Sequence, residues 1–254
     1  MPNPIWIVPL VALALTQIAA IATSVYLHRG LAHRSLRLHP LADAGFRTLL
    51  WLTTGQTRRE WVAVHRKHHT FTDREGDPHS PRLLGLWRVQ VWNVYYYVRE
   101  ARNSETIRTF APDITEDWGD RMFFSRGLSG LTLGVALLCL ALGLGPGLLT
   151  GLVHAVLYVF VLAPLINGLG HWRGTQNFAN TAYNSNALAW VTGGEGLHNN
   201  HHAHPRAPKF SMRRFEFDPS WLVIRCLAAV ALVEIVGAPV APGWPPAAGR
   251  GRAD

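Results

Sequence analysis

Nine histidines stand at spacings that metal chemistry accounts for. They are His28 and His33, then His65-Arg-Lys-His68-His69, then His171 four residues after Asn167, then His198-Asn-Asn-His201-His202. On an α-helix, positions i, i+3 and i+4 share one face, so each H-x-x-H-H group projects three imidazoles from one stripe. Three protonatable rings packed together are unfavourable unless a cation holds them neutral and ordered. Each group offers an i, i+4 pair and an adjacent ring, which lets one helix reach two ions. Nine imidazoles are too many for one ion and about right for two. His28 and His33 differ, because five residues turn through about 500° on an ideal helix. They either serve different ions or straddle an unwinding helix end, which Gly30 would assist.

The elements that must position these rings are apolar. Ile5 to Tyr26 carries no charge over 22 residues, about the length a bilayer requires. A metal box follows it directly and no basic region precedes it, so it does not read as a cleavable signal. Leu128–Gly143 and Leu148–Gly168 form two further stretches, with Leu144-Gly-Pro-Gly147 between them as a turn. Leu41–Gln56 is apolar but contains Asp43 and Arg47, each costing about 2.5–3.5 kcal/mol at the centre of a span. It therefore reads as an interfacial or partly re-entrant helix. Trp221–Val236, broken by Arg225 and Glu234, reads as a surface amphipathic helix, and 238–254, rich in Pro, Gly and Ala, as a disordered tail. The expectation is an all-α integral-membrane bundle of about three spans, residues 1–237, whose cytoplasmic helical cap holds a histidine-rich di-metal site.

The net charge of +8 is concentrated between the first and second stretches and after the third. The positive-inside rule then places the N-terminus outside and every box on the cytoplasmic side, and it leaves no need for a nucleic-acid partner. Cys139 and Cys226 form no redox or zinc motif. Imidazole suits zinc, copper, iron and nickel alike. An all-histidine pair at a bilayer face suggests iron used for oxygen activation on a lipid, since zinc hydrolysis more often shows an open three-ligand site and a carboxylate base.

Beyond the boxes, Glu195 lies three residues before His198 and reads as an orienter of that ring, with Asp73 and Asp77 weaker candidates for the same task. His154, alone in an apolar stretch, reads as a hydrogen-bonded core residue; His39 and His204 read as loop residues. Trp87, Trp92 and Tyr95–Tyr97 read as interfacial packing.

The boxes, with Glu60-Trp61, Asp77-Pro78-His79 and Gly194-Glu195-Gly196 beside them and Asn167…His171 between, resemble those of the integral-membrane fatty acid desaturases. The closest likeness is to the acyl-CoA delta-9 (stearoyl-CoA) type and its bacterial relatives, from roughly Thr16 to Val233. The resemblance implies nine ligands, His28, His33, His65, His68, His69, His171, His198, His201 and His202, and a water held by Asn167. It implies two non-haem irons, dioxygen as co-substrate, and a cis double bond introduced into a long saturated acyl-CoA or acyl-lipid. Gln56 and Trp61 match positions lining the bend of the acyl tunnel. No haem-binding segment is fused, so an external donor of ferredoxin, rubredoxin or cytochrome b5 type is expected, and the setting implied is a bacterial inner membrane. The chain departs from the animal enzymes in having one apolar stretch ahead of the first box, and in Ala63-Val64, where they carry a charged pair facing CoA. Arg58, Arg59, Arg66 and Lys67 remain as cations for a substrate phosphate. The alternatives are a lipid hydroxylase or ketolase on the same centre and, more remotely, a metal-binding or transport protein.

Overall fold

The computed structural model describes residues 6–238; of the expected tail, 239–254 lie outside the described residues. Two helices, Ile7–Ala32 and Leu144–His171, are long and apolar enough to cross a bilayer. Gly127–Leu142, the remaining expected span, is a 16-residue apolar helix, about 24 Å long. It forms an antiparallel hairpin with Leu144–His171. The reversal occurs at Gly143 alone, at φ 90°, a conformation open to glycine. Leu144–Gly147, expected as the turn, is instead the first turn of the next helix. Pro146 fits there because the first-turn N–H groups have no intrahelical acceptor. The hairpin is tight: a Cβ built on Gly147 would stand 2.4 Å from the Cys139 Cα.

Leu41–Gln56 folds largely as the helix Pro40–Thr53, whose first turn is capped by the His39 ring accepting the Leu41 N–H. Its end crosses the start of Gly127–Leu142. A Cβ at Gly130 would meet the Trp51 carbonyl oxygen at 2.3 Å, and one at Gly134 the Leu52 carbonyl oxygen at 2.1 Å. The charges that argue against a buried span are paired. Tyr26 donates to Asp43 at 2.8 Å, and Arg47 bonds Asp43, Asp117 and Asp120 at 2.7–3.3 Å. This lattice ties the first long helix to the polar region.

The C-terminal region corrects the single-helix expectation. Pro219–Ala229 is helical, with Asp218 accepting the Trp221 N–H. Val233–Ile235 is a strand, antiparallel to Leu36–Leu38, which sets Arg37 opposite Glu234. The charge that interrupts the helical pattern is thus a cross-strand ion-pair partner. Among the described residues this two-stranded ribbon is the one sheet in a mostly helical architecture. It closes a core of Val25, Leu36, Ile224 and Val233 beneath the first histidine box.

Candidate metal centre

The first box is placed by a change of helix type. Thr23–Ala32, the last ten residues of the first long helix, is π-helical, and the His33 N–H reaches the His28 carbonyl at 3.0 Å. In an i→i+5 helix, residues five apart stack as i and i+4 do in an α-helix. The helix widens rather than unwinds, and His28 and His33 point the same way. The second box rides on the α-helix Arg58–Phe71 and the third on the short helix His198–Ala203. His171 ends the second long helix.

The nine rings meet in two nests. Nitrogens of His28, His33, His65, His69 and His201 form one, and those of His68, His171, His198 and His202 the other, with each set mutually within 4.8 Å. The two H-x-x-H-H groups divide in opposite senses. In the second box the i, i+4 pair enters the five-ring nest and His68 crosses over; in the third the pair enters the four-ring nest and His201 crosses over.

The geometry fits metal ions. In the first nest, Nε2–Nε2 separations are 2.8 Å for His33–His65, 3.0 Å for His28–His201 and 2.9 Å for His69–His201. In the second they are 2.9 Å for His171–His198, 3.2 Å for His198–His202 and 3.4 Å for His68–His202. Two nitrogens at right angles on one ion, each at about 2.1 Å, lie at such separations. Hydrogen bonding alone does not fill the nests: His201 Nε2 faces both His28 and His69, and His198 Nε2 both His171 and His202, yet one N–H donates to one ring, and three rings have their N–H committed elsewhere. His28 Nδ1 lies 2.7 Å from Glu195, His68 Nδ1 3.0 Å from Asp77, and His171 Nδ1 3.0 Å from Asp73. These carboxylates fix the tautomer and leave bare Nε2 lone pairs facing other imidazoles. Convergent lone pairs repel without a cation between them. Burial pushes His65, His69, His198, His201 and His202 well below the ordinary histidine range, and neighbouring imidazoles add to the effect. They are held neutral, as metal binding requires.

Glu195 therefore orients His28, from another element, and not His198 as its sequence position suggests. It lies in the turn before the third-box helix and also accepts from Ser24 at 2.5 Å. Asp73 and Asp77, the weaker candidates, are full partners of the centre. Asp73 sits at φ 55° in the turn after the second box, a conformation aspartate tolerates better than most residues. Burial opposes ionisation of Asp77, yet His68 and the His79 N–H hold its carboxyl below the usual range. Sequence reading overlooked Asn199 and Asn200, the intervening residues of the third box. Both are fully buried. Asn199 bonds the backbone of Asn177, Phe178 and Ala182, and Asn200 bonds Asn184, the Phe210 carbonyl and Glu216. They anchor the box to the loops around it.

A largely apolar cleft runs from the rings between the two long helices. Gln56, Trp61, Asn167 and Glu195 all line it, with Leu162, Ala163 and Ile166 as apolar wall. Trp61 stacks on His65, with centroids 4.8 Å apart and 15° between planes. Gln56 accepts from Tyr158, and Asn167 donates to Asn93 at 2.9 Å. His79 also lines the cleft and stacks on His68 at 4.6 Å. Tyr97 lines the cleft too, unlike its exposed neighbours Trp92 and Tyr95. His154 lies outside the nests, bridging Thr16 and the Thr53 carbonyl at 2.9 Å each. His39 and His204 flank helices and belong to neither nest.

Three of the four cations expected to await a phosphate are engaged internally. Arg58 bonds Asp120, Asp117 and the Thr115 carbonyl; Arg66 bonds Asp113 and three backbone carbonyls; Lys67 bonds Glu100 at 2.6 Å. Local carboxylates are closer and better desolvated partners than a ligand at the surface.

The profile of the fatty acid desaturases matches residues 4–216. The chain is 28% identical to an sn-1 stearoyl-lipid 9-desaturase of Synechocystis, over 84% of this chain and 66% of that protein. It is 31% identical to delta-9 acyl-lipid desaturase 2 of Arabidopsis thaliana, over 87% and 72%. With an acyl-CoA C20 Delta5-desaturase of Anemone leveillei it shares 28%, over 85% and 69%. It thus spans roughly two thirds to three quarters of these relatives' length. With two buried imidazole nests at the head of an apolar cleft and a match over most of its length, the chain belongs to the fatty acid desaturase family of oxidoreductases.

Proposed function

We propose that this protein removes two hydrogens from adjacent methylenes of a long saturated acyl chain, presented as acyl-CoA or acyl-lipid, and leaves a cis double bond. One observation carries the reading: nine metal-competent imidazoles, divided five and four, stand at the head of an apolar cleft. His28, His33, His65, His69 and His201 would hold one iron, and His68, His171, His198 and His202 the other. Two bound irons would supply the activation of dioxygen that no side chain can perform.

The chain's own residues do the rest. Leu162, Ala163 and Ile166 bury the acyl chain and exclude water, and Trp61, fixed against His65, sets the wall where a methylene must lie. Gln56, held by Tyr158, shapes the bend. Asn93 takes the Asn167 amide N–H, which leaves the Asn167 carbonyl oxygen to accept from a water at the four-ring nest. Glu195, Asp73 and Asp77 keep three ligand rings in the tautomer that presents Nε2. The distribution of basic residues supports a centre on the cytoplasmic side of a multi-pass protein; a bacterial inner membrane and electrons from an outside carrier follow from the resemblance.

Expression in a lipid-defined host followed by mass spectrometry of the acyl chains tests the reading. Loss of two hydrogens is expected. Gain of one oxygen would make the protein a hydroxylase or ketolase, and an unchanged lipid profile with metal flux into vesicles would make it a transporter.

A further inference from the structure

We propose that Tyr97 is a substrate-binding residue whose hydroxyl donates a hydrogen bond to the acyl carbonyl, and so sets which methylenes of the chain lie at the metal centre. The inference rests on the function proposed above, since it takes the cleft to hold an acyl chain.

The hydroxyl groups that line the cleft differ in one respect. Thr23 and Tyr158 bond each other at 2.6 Å, and Tyr158 donates to Gln56 at 3.1 Å. Thr192 donates to the Leu188 carbonyl at 2.6 Å. The Tyr97 oxygen is buried and, among the described residues, has no hydrogen-bond partner. The other unpartnered polar atoms of the lining are Nδ1 of His79 and of His198, both on rings at the centre. A buried polar group left unpaired is costly and calls for a partner the chain does not itself supply. Burial and the nearby Glu60 carboxylate push the Tyr97 phenol up, so it stays protonated and offers a donor.

Two ties hold the phenol in place. It stands on the helix Leu86–Ala101, which bends at Trp92. Asn93, one turn before Tyr97, accepts from Asn167 of the second long helix, and Glu100, nearly one turn after it, pairs with Lys67 of the second-box helix. Residues 93, 97 and 100 share one face, so the ties turn Tyr97 into the cleft while Trp92 and Tyr95 stay exposed. Polarity then orients the ligand. Ala20 and Tyr158 line the cleft about two turns before His28 and Asn167 on the two long, apolar helices, whereas Tyr97 lies a turn from the Lys67–Glu100 ion pair. An amphiphile settles with its hydrocarbon tail in the apolar part and its head toward the charged part. The first acceptor met along a saturated acyl chain is its carbonyl oxygen, whether in a CoA thioester or a glycerolipid ester, and it meets the unpaired hydroxyl of the wall. A hydrogen bond at one end of a run of identical methylenes gives the chain a register that apolar contacts alone do not.

The test compares ligands with and without the carbonyl, on the metal-loaded protein kept free of oxygen in a maltoside detergent. One arm sets a stearoyl lysophosphatidylcholine against its octadecyl ether, the other stearoyl-CoA against the octadecyl thioether of CoA. In at least one arm, which then names the head group, the wild type should bind the carbonyl-bearing ligand about 2–10-fold more tightly. Tyr97→Phe should erase that preference. Without ligand, the variant should melt no lower than the wild type, because the hydroxyl has no partner in the chain to lose. In a lipid-defined host the wild type should place the double bond at one position, and Tyr97→Phe should spread it over neighbouring ones. No carbonyl preference by the wild type in either arm, a preference kept by Tyr97→Phe, a lower melting temperature of the variant or an unshifted double bond would overturn the proposal. Should the binding pattern hold while the wild type yields no unsaturated product, it is the desaturase reading that fails and the assignment of Tyr97 stands.

Discussion

At the scale of single residues, the centre depends on which nitrogen of each ring is free. A carboxylate at Nδ1 of His28, His68 and His171 settles this for three rings. His201 is fully buried, with its Nε2 within 3.0 Å of both His28 and His69. His201→Ala should therefore lower the metal content from two ions per chain and abolish activity without affecting membrane insertion. Two ions retained, by metal analysis of the purified variant, would remove His201 from the ligand set. Asp77→Asn keeps the shape but loses the charge facing His68. Metal affinity or turnover should fall by about 10–100-fold, and chelator competition gives the affinity directly. An unchanged affinity would show that His68 needs no such partner.

At the scale of elements, two departures from regular geometry do the positioning. The π-helical end of the first long helix converts a five-residue spacing into a shared face, and Val156–Leu162 in the second long helix is π-helical beside the same cleft. Such segments concentrate at functional sites. The second device is backbone contact through glycine. Gly134→Val would drive a side chain into the Leu52 carbonyl and separate Gly127–Leu142 from Pro40–Thr53. Overpacking of this kind costs about 1–3 kcal/mol, so thermal unfolding in detergent should begin several degrees lower. An unaltered melting curve would show that the two helices part without loss.

For the whole molecule, metal and protonation are linked to stability. A cation that binds the folded nests and not the unfolded chain stabilises by mass action, so chelation should lower the melting temperature and metal should restore it. The metal-free protein carries buried histidines whose affinity for protons is depressed. Its unfolded state binds more protons as pH falls through the ordinary histidine value of about 6.5. Stability then rises with pH below that value. It is fully present above about 6.5 and is lost on acidification. Denaturant titration of the metal-free protein at pH 5.5 and 7.5 checks the sign, and equal stability at both would contradict it.

The local pattern of residues determined the long apolar helices, the helix within Leu41–Gln56, the metal-competent histidines as a group and the core role of His154. Each follows from spacing or polarity along one stretch of chain. Only the tertiary structure decided which nest each ring enters, because an H-x-x-H-H stripe offers its rings to two ions and the partner helix chooses. It also moved Glu195 from His198 to His28, raised Asp73 and Asp77 to orienters, engaged Arg58, Arg66 and Lys67 with internal carboxylates, and turned Val233–Ile235 from helix to strand. These outcomes rest on partners far apart in the chain, such as Arg37 with Glu234 and Ser24 with Glu195. Periodicity reports which face a residue occupies, whereas the identity of what meets that face is set when distant segments pack.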